Sequence, residues 1–118
     1  MGELKILVVE DDLLLARAIA RCMASSGMEP AVVTSGAAAL ACIGHYEVGV
    51  FDMDLGDANG TEVAKRLLMQ KTVRHAVFFT ATADIPAMGS ASRLGPVVQK
   101  REGVQALQRA VAEISQIR

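Results

Sequence analysis

The chain has 118 residues, a formal net charge of −1 and 52% apolar residues. That length fits one domain, residues 1–118, and can bury a core without disulfide or metal staples. The balanced charge gives no electrostatic footprint for nucleic acid. No run of about 18 apolar residues is present to span a membrane. The first residues lack the charged-then-apolar pattern of an export signal. Cys22 and Cys42 lie in apolar helical patterns and read as small buried hydrophobes, in keeping with a reducing, cytoplasmic setting.

Short aliphatic runs alternate with helical patterns along the chain. Strands are expected near 4–9, 30–34, 48–52, 75–80 and 96–99. Helices are expected near 12–25, 36–44, 60–70, 84–93 and 103–117. Asp12 can cap the first helix, and Ser25-Ser26-Gly27 ends it. Ser35 can cap the second, with Gly44 after its last apolar residues. Asn59-Gly60 precedes the third, and Val104, Leu107, Val111 and Ile114 mark the last at helical spacing. Residues 81–96 carry Pro86, Gly89, Gly95 and Pro96, so the fourth helix should be short, frayed or mobile. Both termini end close to regular structure, which reads as a complete domain. Strands alternating with helices indicate an α/β, doubly wound fold: a parallel sheet covered on both faces by right-handed crossovers.

Chemistry-bearing residues close these runs. Glu10 and Asp11 follow the first strand, Asp52 the third, Thr80 the fourth and Lys100 the fifth. In an open parallel sheet these groups gather at the carboxyl edge, where ligands bind. Adjacent acids repel unless a cation neutralises them, and a hard divalent ion such as Mg²⁺ suits oxygen ligands. An aspartate beside a metal can act as an acyl-phosphate nucleophile. A hydroxyl and an ammonium group can hold phosphoryl oxygens. Asp54 and Asp57 read as loop acids, although the backbone carbonyl of Asp54 could face the metal.

The order Glu10-Asp11, Asp52, Thr80, Lys100 resembles a response-regulator receiver domain of two-component signalling, of the single-domain type, over essentially the whole chain. The resemblance implies a flavodoxin-like (βα)5 fold with strand order 2-1-3-4-5. It implies that Asp52 accepts a phosphoryl group from a histidine kinase or phosphotransfer protein. Mg²⁺ would be held by Asp11, Asp52 and the Asp54 carbonyl, with Glu10 close by. Thr80 would turn toward the phosphoryl group, and Lys100 would contact it. Output would pass by protein contact, with no nucleic-acid or membrane partner. The protein would not be an enzyme beyond promoting its own phosphorylation and slow dephosphorylation.

The chain departs from that pattern at several positions. Receiver domains usually have Pro after the lysine, often with a cis bond, where this chain has Arg101. A cis bond before a non-proline residue costs about 2.5–4 kcal/mol, so either that loop is differently shaped or strain is tolerated. Val97 stands where a switch aromatic is usual, and Gly56 where Pro is common. These departures motivate an alternative, a degenerate receiver acting as a phosphorylation-independent adaptor. Asp52-Met53-Asp54 also resembles the opening of haloacid-dehalogenase-type phosphatases, but there the Asp-x-Asp comes first and an acidic pair last. Met53 could line the mouth of the site.

Overall fold

Five strands alternate with five α-helices over residues 3–117, the part of the chain that the computed structural model describes. The elements are β1 (Lys5–Val9), α1 (Leu13–Ser25), β2 (Glu29–Val33), α2 (Gly36–Leu40), β3 (Tyr46–Phe51) and α3 (Gly60–Met69). They continue as β4 (Val73–Thr80), α4 (Ile85–Ser92), β5 (Val97–Gln99), a 3-10 turn (Lys100–Glu102) and α5 (Val104–Ile114). All strand pairs are parallel, in the order β2-β1-β3-β4-β5.

The aliphatic runs are continuous because the central strands are covered twice. Ile6 and Val8 pack with Ile19, Leu107 and Val111, from α1 and α5. Leu7 and Val9 pack on the other face with Phe51, Val63 and Leu67, the last two from α3. Phe78 and Phe79 divide between the two faces as alternation requires, and both are fully buried.

Caps fall where the sequence places them. The Asp12 carboxylate accepts from the N–H groups of Leu14 and Leu15 at the start of α1. Ser35 Oγ accepts from Ala38, and Asn59 Oδ1 accepts from Thr61 and Glu62. Gly27 adopts a φ of +81°, the left-handed conformation that closes α1.

Two expectations need correction, on the second helix and on the cysteines. The second helix spans five residues, not the length expected from 36–44: it stops at Leu40, and Ile43 is 90% exposed. No buried side chain on that side of Leu40 holds a further turn. The fourth helix is short, as expected, and it forms because Pro86 sits in its first turn, where no backbone N–H is needed, and Asp84 caps it by accepting from Ala87. Only Ala91 in it is fully buried, so its grip on the sheet is small. Cys22 and Cys42 are half-buried rather than core residues, and burial pushes the Cys42 thiol up, away from reactivity.

Among the glycines of the described residues, Gly60 has the tightest surroundings, with Gly95 close behind. A β-carbon at Gly60 would overlap the backbone carbonyl of Asp52, and the Gly60 N–H donates to the carbonyl of Met53 at 2.8 Å. Glycine to alanine in a helix normally stabilises. Here Gly60→Ala is expected to lower the unfolding free energy by about 1–3 kcal/mol through overpacking. Urea denaturation of the two proteins checks the sign.

Candidate functional site

The β1–β3 register pairs Val9 with Phe51, so the next residues, Glu10 and Asp52, leave the sheet side by side. The Asp52 N–H donates to the Val9 carbonyl at 3.0 Å, extending the ladder by one bond. Across β4 and β5, Thr80 pairs with Gln99, which places Lys100 just beyond the same edge. Lys100 Nζ lies 3.0 Å from Glu10 Oε1 and 3.1 Å from Asp52 Oδ2. Carboxylate oxygens of Glu10, Asp11 and Asp52 lie within 4.8 Å of one another. Asp11, Asp52, Asp54, Thr80 and Lys100 line one cavity of about 450 Å³, together with Ala81 and Thr82. A larger cleft of about 710 Å³ opens at the other end of the strands, beside Leu4, Tyr46 and Val73. It lacks a comparable acidic cluster among the described residues.

Burial sets the electrostatics. Glu10 is 2% exposed and Asp52 7%. Desolvation pushes the Glu10 carboxyl up to about 7, against the opposing pull of the Asp12 N–H and the Lys100 ammonium. Burial also works against the charge on Lys100, but its bonds to Glu10 and Asp52 outweigh that and hold its pKa above the usual lysine value. The other Asp52 oxygen, Oδ1, accepts from the Asp54 N–H at 3.2 Å. Asp52 is thereby fixed at both oxygens while it faces the cavity. Asp54 lines the same cavity, but its own carboxylate turns back to accept from the Gly56 N–H.

A family model described as the response regulator receiver domain matches residues 6–112. The chain belongs to that family. Among curated proteins it is similar to the transcriptional regulatory protein CutR of Streptomyces coelicolor and of Streptomyces lividans. Each is 37% identical over 84 residues, which cover 70% of this chain and 39% of the relative. The chain thus spans well under half the length of the curated relatives it matches. Solved receiver domains share the fold. That of the Francisella response regulator 1452 has a TM-score of 0.85 at 21% identity, covering 97% of this chain and 98% of that one. The CheY-like receiver from Methanospirillum hungatei JF-1 gives 0.83 at 17% identity, covering 97% and 94%.

This receiver resolves its unusual positions locally. Among the described residues every peptide bond is trans, and Lys100-Arg101-Glu102 forms a 3-10 turn instead of a proline-bounded loop. The Glu102 carboxylate accepts from the Gln99 N–H at 2.8 Å, and the Gly103 N–H donates to the Lys100 carbonyl. Glutamate three residues after the capped position is a readable capping pattern. Gly56 has φ +78°, a conformation closed to proline, so its glycine follows from the shape of the β3–α3 loop. Asp57 in the same loop accepts from the Gly36 and Ala37 N–H groups at 2.9 and 3.1 Å. Those bonds hold its carboxyl below the usual aspartate range. It ties the loop to the start of α2, a role that no spacing in the sequence announces. Met53 is buried in the core and also borders a small groove with Asp54, Thr82 and Ala87.

Glu10 makes stability depend on pH. Its folded pKa, about 7, lies above its ordinary value of 4.5, so the folded state holds the proton more tightly. The metal-free protein is expected to lose stability as pH rises from about 4.5 through 7. Glu10→Gln should flatten that slope, and thermal unfolding across this pH range without divalent ions measures it.

Proposed function

We propose that this receiver is a phosphoacceptor switch in which Asp52 takes a phosphoryl group from the phosphohistidine of a histidine kinase or phosphotransfer protein. The observation that carries the reading is the fixed Asp52 carboxylate at the mouth of an acidic cavity, with Lys100 on one oxygen and the Asp54 N–H on the other. An Asp52 oxygen forms the new O–P bond as the donor's N–P bond breaks. The imidazole leaves with the electron pair and takes up a proton from solvent. Lys100 is released from carboxylate to phosphoryl oxygen, and the Thr80 hydroxyl donates to another. Lys100 already contacts Asp52 and Thr80 lines the same cavity, so each has only a short move to make.

The donor set suits a hard divalent cation: clustered carboxylates of Glu10, Asp11 and Asp52, two of them buried. Mg²⁺ held there, with the Asp54 carbonyl as a further ligand, would neutralise charge on the transferring phosphoryl group. Output passes to a protein partner by contact. No turnover of phosphomonoesters is expected, and the setting is the cytoplasm. No helix among the described residues is long and apolar enough to cross a membrane.

Acetyl phosphate with Mg²⁺ should add one phosphoryl group to the wild-type chain and none to Asp52→Asn, as read by intact mass. Labelling of Asp52→Asn at the wild-type level would reject Asp52 as acceptor. Failure of the wild type to take up either phosphoryl or beryllofluoride would leave the phosphorylation-independent adaptor, which Val97 and Arg101 favour.

A further inference from the structure

We infer that Gln99 is the positioning residue through which the state of the site reaches α4, a role that rests on the phosphoacceptor reading above. Gln99 is the last residue of β5, immediately before Lys100. Val98 packs into the core on the α1–α5 side. Alternation therefore turns Val97 and Gln99 toward α4. Val97 has no ring to move. Gln99 instead reaches across: its Nε2 donates to the Thr82 carbonyl at 3.4 Å and to Met88 Sδ in α4 at 2.9 Å. Both partners are acceptors, which sets the amide with its nitrogen toward the loop.

The other end of this contact is wired to the site. The Thr82 N–H donates to Thr80 Oγ1 at 3.1 Å, and Thr82 Oγ1 accepts from the Asp84 N–H at 3.2 Å. Asp84 in turn caps α4 through the Ala87 N–H. Thr80 and Thr82 line the cavity that holds Asp52. A phosphoryl group on Asp52 offers the Thr80 hydroxyl a new acceptor, and rotating toward it withdraws Oγ1 from the Thr82 N–H. The loop that carries the Thr82 carbonyl is then free to move relative to Gln99. The backbone of Gln99 stays pinned by the Glu102 carboxylate, which accepts from its N–H. α4, with Ala91 as its one fully buried residue, is the element least able to resist. Gln99 thereby converts a hydroxyl rotation into a change in the hold on α4.

The test compares wild type, Gln99→Leu and Gln99→Glu, each with and without acetyl phosphate and Mg²⁺. Neither variant can donate to Thr82 or Met88, and the glutamate keeps the side chain's shape. Intact mass reports phosphorylation, and hydrogen exchange reports α4 over residues 85–92. The three proteins should label alike. Phosphorylation should change α4 exchange several-fold in wild type and less than twofold in both variants. A labelled variant that keeps the wild-type change overturns the role of Gln99, as does a labelled wild type whose α4 exchange does not change. A wild type that gains no mass overturns the phosphoacceptor reading and this role with it, and the absent mass shift separates that outcome from the other two.

Discussion

One ammonium group shared between two buried carboxylates organises this molecule. Glu10 and Asp52 lie in the centre of the sheet edge and Lys100 comes from its flank, so the lysine stem must cross the end of β4 to reach them. Burying two like charges together is unfavourable unless a counter-charge is held close. The contact therefore exists only when β1, β3, β4 and β5 share one register. A slip of one residue would turn Asp52 to the opposite face of its strand. With all three acids ionised, Glu10, Asp11 and Asp52 outnumber Lys100 by two charges, so the edge is short of positive charge. That deficit is the physical basis for expecting a divalent ion there, and the burial of Glu10 is its signature in the metal-free state.

Much of this was legible from the residues alone. Continuous aliphatic runs such as Ile6-Leu7-Val8-Val9 identified doubly covered strands, because a half-exposed strand alternates instead. The residues that close those runs marked the site, since parallel strands present all their carboxyl ends on one edge. Asp12 and Ser35 were readable as caps because capping is local chemistry.

What escaped the sequence depends on neighbours far along the chain. Asp57 clamps α2 from a different loop, and nothing local distinguishes it from Asp54. The early stop of α2 reflects the lack of anything to pack on Ile43. The replacement of a proline-bounded loop by a 3-10 turn depended on Glu102 and Gly103 acting together.

Gly60 sets which side of the site can give. Main chain of α3 lies directly against main chain of Asp52, with no side chain between them to repack. Side chains can change rotamer to absorb a displacement of a few tenths of an ångström, but two abutting peptide groups cannot. The α3 flank is therefore an anvil. Under the proposed switch, strain at Asp52 would be relieved the other way, along Thr80 and the loop beyond it, with α3 as the fixed wall. A partner reading the proposed switch would then find a changing surface on α4 and a constant one on α3.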